Sequence, residues 1–175
     1  MVQESNRQKK GSEITIRQMD IDDISSVYHL GEDLFTSDKL PILYRTWDPN
    51  EVTDYFGSDR EYCLVAEKQG EILGFIIATT IMKEGTAWNK YGYLSWIGVD
   101  KAYQRTNLGQ RLYRRLEDRM MEDGVRMIMC DTEANNFGAI GFFRAIGFTE
   151  RRKHIWLAKT LKRQKKNLGK KVQPE

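Results

Sequence analysis

Between residues 91 and 130 the hydrophobic period changes twice, and this limits the folds open to the chain. Residues 91–99 form an apolar and aromatic run suited to a strand. Leu108, Leu112, Leu116 and Met120 then recur every four residues, one apolar stripe along a helix. Gly124 stands where such a helix ends in a left-handed cap. Residues 125–130 are a second short apolar run, read as a strand covered on both faces, as parallel strands are. Strand, helix and strand in that order require a right-handed crossover, which leaves the two strands parallel. The expected class is α/β.

The rest of the chain supplies antiparallel partners. Residues 14–19 alternate with period two and read as a strand. Residues 62–67 and 72–82 read as two strands joined by the Lys68-Gln-Gly-Glu71 turn, and with residues 91–99 they form a meander. Asp20 or Asp22 can cap a helix through Ile24, Val27, Tyr28 and Leu30, with Gly31 as its stop, and residues 49–56 form a short second helix. Asn135 or Asn136 can open a last helix carrying Ala139, Ile140, Phe143 and Ile146 on one face. Gly147 ends that helix, and residues 148–161 return as a strand. The expectation is a mixed, mainly antiparallel sheet with a central parallel pair and helices on both faces. One domain spans 13–161, between a disordered lead-in at 1–12 and a basic tail at 162–175.

Charge and composition exclude several classes. No apolar run approaches the roughly 20 residues that cross a bilayer, and residues 1–12 lack the apolar stretch of a secretory signal. A cytoplasmic protein without a membrane partner is expected. The net charge is +3, yet residues 149–175 hold ten of the 28 Lys and Arg against Glu150 and Glu175. The basic character therefore belongs to the tail, and residues 1–148 carry a balance of −5. No aromatics are interleaved with the tail's charges, so nucleic acid is not the expected partner. Cys63 and Cys130 are too few for a disulfide framework and read as buried thiols. His29 and His154 are single and far apart, so no metal site is expected.

The residues able to carry chemistry cluster where the first strand of the crossover meets its helix. In Tyr103-Gln-Arg-Thr-Asn-Leu-Gly-Gln110, the unpaired N–H groups of a first helical turn can face a diphosphate. Gln104 and Arg105 add side-chain donors, Thr106, Asn107, Leu108 and Gln110 complete the turn, and Gly109 permits close backbone approach. A plain strand-to-helix turn has the same elements.

Two motifs in order add a family resemblance. Val99-Asp-Lys-Ala-Tyr-Gln-Arg-Thr-Asn-Leu-Gly109 resembles the acetyl-CoA loop of GNAT acetyltransferases, Gln/Arg-x-x-Gly-x-Gly/Ala. Asn136-x-x-Ala139-x-x-Phe142-Phe143-x-x-x-Gly147-Phe148 resembles that family's second signature, which usually ends Leu-Tyr-x-x-x-Gly-Phe. The resemblance spans about residues 13–161 and lies nearest to ribosomal-protein alanine acetyltransferases. It implies an acetyl-CoA-dependent N-acetyltransferase acting on a primary amine: a protein N-terminus, a lysine or a small amine. It also implies that the sheet splays between the strands at 94–99 and 125–130. The pantetheine arm then bonds to main-chain groups of Ile97 and Val99, with Gly98 making the strand easy to distort. Asn136 and Phe143 would complete the cofactor surface.

Amine acetylation needs a base for the ammonium, and the departing thiolate benefits from a proton. Carried over by position, the base falls on Asp131, with Glu133 as the alternative; an ordinary strand-end carboxylate is the competing reading. Two positions depart from the pattern. Asn107 stands for the loop's first Gly, and Asn tolerates positive φ better than most residues. Phe143 stands for the usual tyrosine acid and cannot give a proton, which leaves water, Tyr91, Tyr93 or Tyr113. Glu32, Asp33 and Asp38 border the acceptor on this resemblance and favour cationic amines. Two rivals stand beside the enzyme: an acyl-CoA-binding sensor or interaction module that has lost catalysis, and a ribosome- or RNA-associated protein using the tail. Monomer and homodimer both remain open.

Overall fold

The computed structural model describes residues 13–35, 47–149 and 159. The chain divides into two units, residues 1–137 and 138–175, and each is described by itself. The expected lead-in at 1–12 and tail at 162–175 lie outside the described residues, as does most of the last expected strand.

In the first unit, strand β1 (Thr15–Gln18) is followed by a single 3-10 turn, Ile21–Asp23, and by helix α1 (Ile24–Phe35). Asp20 opens the turn with a reciprocal cap. Its carboxylate accepts the Ile21 N–H at 2.7 Å, and Asp23 accepts the Asp20 N–H at 2.7 Å. Helix α2 (Pro49–Ser58) begins on Asp48, which accepts from the Asn50 N–H at 2.7 Å, with proline at the first helical position. Then come β2 (Cys63–Lys68), β3 (Glu71–Met82), β4 (Lys90–Val99), helix α3 (Leu108–Glu122) and β5 (Ile128–Met129). The sheet order is β1-β2-β3-β4-β5, antiparallel throughout except for the parallel pair β4–β5. Gln69 and Gly70, at φ 54° and 85°, close the β2–β3 hairpin at the expected turn.

Helices cover both faces of this sheet. On one face Val27 of α1 and Val52 of α2 join Met19, Trp47, Cys63, Val65, Phe75, Ile77 and Trp96 in a single core. Burial there pushes the Cys63 thiol up to about 12, with Asp59 and Glu61 adding to the shift, so it stays an unreactive core group. On the other face α3 lays down its stripe, and Leu108, Leu112, Leu116 and Met120 are all buried. Each such side chain removes enough apolar surface to contribute roughly 1.5–3 kcal/mol. Two glycines let that helix approach: a Cβ at Gly74 would stand 3.2 Å from Leu112 Cδ1, and one at Gly92 would stand 2.5 Å from Met120 Sδ.

Three expectations need correction. Gly31 does not end the first helix, which runs on to Phe35. Gly31 is buried, and a Cβ there would sit 2.2 Å from two ring carbons of Trp47. Its missing side chain serves packing rather than termination. The run at 125–130 is not a strand covered on both faces: among the described residues only Ile128 and Met129 pair, Met129 is 38% exposed, and Arg126 is exposed. Among the described residues it pairs with β4 over two positions, and Met129 and Arg126 face solvent. Cys130 accordingly lies past the strand and is half-buried. The second unit begins within helix α4 (Phe137–Ala145), which ends two residues before Gly147 at φ 99°.

Substituting Gly31 by alanine sets two effects against each other. Alanine gains about 1 kcal/mol of helix propensity. The 2.2 Å contact is with a rigid indole wedged among Tyr28, Phe35 and Phe75, and overpacking of that kind costs about 1–3 kcal/mol. Gly31→Ala is expected to lower the melting temperature by a few degrees; a rise would place the indole elsewhere.

Asp23 links stability to pH. Arg17 grips it through Nη1–Oδ2 at 2.5 Å and Nη2–Oδ1 at 2.9 Å, while Arg17 Nε reaches Glu67 at 2.7 Å. The Arg17 bonds hold the Asp23 carboxyl below the ordinary carboxylate range. A depressed folded-state value contributes stability above the unfolded value, near pH 4, that is lost as pH falls through the folded one. Asp23→Asn should cost about 1–3 kcal/mol at pH 7 and flatten the acid limb of stability, measured by urea unfolding from pH 7 to pH 2.

Candidate active site

The site starts from one extra residue. β3 and β4 pair from Met82↔Lys90 to Ala78↔Leu94, and again from Ile77↔Trp96 to Gly74↔Val99. Ser95 is therefore a bulge on β4, which bends the strand and raises its twist. It also changes which backbone groups face which neighbour. Before the bulge, the Gly92 N–H donates toward β5, to Met127 O at 2.9 Å. Beyond it, the Asp100 N–H donates toward β3, to Leu73 O at 2.9 Å. Backbone direction alternates along a strand, so Ile97 and Val99 turn their N–H and C=O groups away from β3. On that side β5 has parted, because its pairing ends at Tyr93↔Met129. Gln104 Nε2 donates to the Val99 carbonyl at 3.2 Å. The distortion does not sit at Gly98, which stays in register with Phe75. A Cβ there would meet the Phe75 ring at 2.8 Å and Leu34 at 2.9 Å, so its role is close packing.

From Val99 a 3-10 turn, Lys101–Tyr103, leads into the loop before α3. Arg105 and Asn107 are both left-handed, at φ 63° and 71°, and Thr106 Oγ1 ties the loop by donating to Tyr103 O at 2.6 Å. Asn107 takes the conformation that the sequence requires of it; the strain at Arg105 was not foreseen. The first bond of α3 runs from the Arg111 N–H to Asn107 O at 3.1 Å, and the Asn107 side chain makes no cap. The N–H groups of Leu108, Gly109 and Gln110 thus precede the helical ladder, where a helix presents its positive end. Leu108 is buried and anchors the turn, Gly109 and Gln110 are half-buried, and Gln104 and Arg105 are exposed.

Asp131 is half-buried, two residues past Met129, where β5 ends. The Tyr93 hydroxyl donates to Asp131 Oδ1, linking β4 to the chain beyond β5 just where the strands separate. Glu133 is exposed and its carbonyl accepts the Asn136 N–H at 2.9 Å, while Asn136 Nδ2 donates to Thr132 Oγ1 at 3.3 Å. The Tyr113 phenol donates within its own helix, to Glu117 at 3.0 Å, and burial above all pushes its ionisation up. Tyr91 stands edge-on to Trp88 at 5.9 Å. The Tyr93–Asp131 pairing depends on strand register, which residue order alone does not display.

Glu32 accepts from the Tyr28 hydroxyl and contacts His29 Nδ1, each at 2.9 Å; the His29 contact first, then Tyr28, holds its carboxyl below the ordinary value. Asp33 is exposed, and Asp38 lies outside the described residues. Unforeseen in the sequence, Asp48, Glu51 and Asp54 line a depression of about 310 Å³ with Asn50, Tyr55 and Ser58. Glu51 is fixed there by the Trp96 indole, which donates to it at 2.8 Å. Among the described residues no group of three or more His, Cys, Asp or Glu could hold a metal ion, and no helix is long and apolar enough to cross a membrane. In the second unit, Phe143 is buried between Phe142 and Phe148, each ring centroid 5.4 Å away and edge-on.

A family model for the acetyltransferase (GNAT) family matches residues 25–148, from α1 to the end of the second motif. The chain belongs to that family. As a GNAT acetyltransferase it is a transferase enzyme, and its relatives have named acceptors. It is 26% identical over 136 residues to the [Ribosomal protein bS18]-alanine N-acetyltransferase of Escherichia coli K12, covering 78% of this chain and 81% of that one. It is 29% identical over 89 residues to N-alpha-acetyltransferase 30 of Dictyostelium discoideum, covering 51% and 46%. Among solved structures, the aminoglycoside acetyltransferase AAC(6')-Iy with a CoA-containing bisubstrate analogue superposes with a TM-score of 0.67 at 19% identity, covering 86% of this chain and all of that one. That likeness concerns the fold.

The left-handed turn of this GNAT chain can be tested apart from activity. A β-branched residue at positive φ costs about 1–2 kcal/mol, whereas glycine adopts it freely. Asn107→Val should lose that amount in urea unfolding, and Asn107→Gly should stay within about 0.5 kcal/mol of wild type. Equal stability of all three would mean the turn is not left-handed.

Proposed function

We propose that this GNAT acetyltransferase transfers acetyl from acetyl-CoA to the α-amine of a protein or peptide N-terminus. The observation that carries the reading is the coincidence at one end of β4 of two features. These are a strand edge at Ile97 and Val99 that no strand pairs with among the described residues, and a helix start at Leu108, Gly109 and Gln110 without a side-chain cap. When bound, acetyl-CoA supplies the activated acetyl group as a thioester. The N–H groups of the turn, with Gln104, Arg105 and Thr106 beside them, suit its diphosphate. The backbone of Ile97 and Val99 suits the amides of its pantetheine arm, and Asn136 extends the surface on the family pattern.

Asp131 is assigned as the group that takes the proton from the acceptor ammonium, with Glu133 as the alternative. Asp131 is favoured because it is half-buried at the fork of the strands and held by Tyr93, whereas Glu133 is exposed. A carboxylate is a weak base, and this bears on the acceptor. An α-amine with a pKa near 8 is neutral in about a tenth of molecules at pH 7, a lysine with one near 10.4 in fewer than about one in a thousand. The α-amine therefore asks several-hundred-fold less of the base. The relatives named as a ribosomal protein bS18 alanine N-acetyltransferase and an N-alpha-acetyltransferase support the same choice. The carboxylates of Glu32, Asp33, Asp48, Glu51 and Asp54 favour acceptors with positive charge near the amine.

The test is acetyl-CoA-dependent acetylation at pH 7 of short peptides with a free N-terminus, of the same peptides blocked but carrying lysine, and of free-N-terminus peptides made acidic. The expected order is basic free peptides, acidic free peptides, then blocked lysine peptides by a wide margin. Preference for the blocked lysine peptides would overturn the assignment. Asp131→Asn should lower kcat by about 10²–10⁴-fold.

A further inference from the structure

Phe143 leaves the usual proton-handling tyrosine of the second motif missing, and five tyrosines of the first unit have a partner that can be named. Tyr28 is bonded to Glu32, Tyr62 to Asp123 and Tyr113 to Glu117, while Tyr91 packs edge-on against Trp88. Tyr93 differs from these. Its hydroxyl donates across the sheet to Asp131, a carboxylate 38 residues away that the proposed function places at the reaction. The position of this bond is as telling as its partners. Tyr93 and Met129 form the last pair of β4 and β5, and the bulge at Ser95 follows two residues on. The phenol therefore spans the point at which two strands part company. The carboxylate it meets lies just past the end of its strand.

We infer that Tyr93 is a positioning residue for Asp131: it holds one carboxylate oxygen and so aims the other at the acceptor amine. The inference rests on Asp131 being the base. A carboxyl group turns freely about its last bond, and an oxygen misplaced by about 1 Å can cost about 10²-fold in rate. A phenol suits the task because it donates one hydrogen bond from a rigid ring that is anchored in a strand. The ring is carried by the paired part of β4, with Thr79 opposite it on β3, so the donor stays put while the neighbouring strand edge opens. Tyr93 then acts through Asp131 and has no separate effect on the proton balance: the ammonium proton goes to the carboxylate and from there to solvent.

The experiment is a double-mutant cycle on the full chain, using Y93F, D131N and the pair, with an N-terminal peptide and acetyl-CoA. Y93F keeps the ring, so the fold and the acetyl-CoA Kd by calorimetry should be unchanged within about twofold. Its kcat should fall about 10- to 100-fold with KM little changed. In the D131N background the same change should cost less than about twofold, because the group it positions is gone. A second readout needs no acetyl-CoA. The phenol carbon resonance of Tyr93, identified by its loss in Y93F, should shift in D131N protein. A wild-type rate for Y93F beside a slow D131N overturns the inference alone. So does an equal cost of Y93F in both backgrounds, and so does an unmoved resonance. A wild-type rate for D131N overturns the assignment of the base, and this inference with it.

Discussion

Ser95 has no counterpart on β3, and the backbone beyond it is turned by one position. Were β4 regular through Ser95, the groups of Gly92, Leu94, Trp96 and Gly98 would all face β5, and those of Ile97 and Val99 would face β3. With the bulge, the two halves of β4 serve different neighbours. The first half binds β5 through Gly92 and sets the register that brings Tyr93 to Asp131. The second half stays bonded to β3 through Asp100 and turns Ile97 and Val99 to the opened side. Unpaired backbone at a sheet edge must be satisfied by something, and on the proposed function acetyl-CoA does so.

The edge is held open by a rigid support. On one face Phe75, Trp47 and Trp96 are packed ring against ring, and Gly98 lets β4 settle onto Phe75 and Leu34 without a side chain in the way. On the other face Met120 reaches the backbone of Gly92, and Leu112 that of Gly74. Both glycines of β4 are thus places where something else needs the room. The turn into α3 is fixed at Leu108, buried one residue after a left-handed asparagine. A strand edge and a helix start that must act together are both tied to the same β3–β4 pair.

Much of this was legible in residue order. The four-residue stripe from Leu108 to Met120 is amphipathic enough to declare its helix, and the apolar runs of β2 and β3 declare strands that are buried on both faces. The loop also declared itself, because Asn107 is among the few residue types that accept the φ of 71° it has. What failed failed for want of tertiary information. Gly31 looks like a helix stop because sequence does not show that Trp47 lies against it. Residues 125–130 look like a buried strand because an apolar run does not say which of its residues will be covered. The bulge is silent, since Ser95 is an ordinary strand residue and register is a property of two chains of atoms. The Tyr93–Asp131 bond depends on that register and was hidden with it.

The central claim is that the β4 edge and the α3 start together receive acetyl-CoA. Amide hydrogen exchange with and without saturating acetyl-CoA tests it residue by residue. The account predicts added protection at the Ile97 and Val99 amides and at Leu108, Gly109 and Gln110, with little change at Gly98, whose amide faces β3. Acetyl-CoA binding that leaves these five amides unprotected, or that protects Gly98 as strongly as its neighbours, would contradict it.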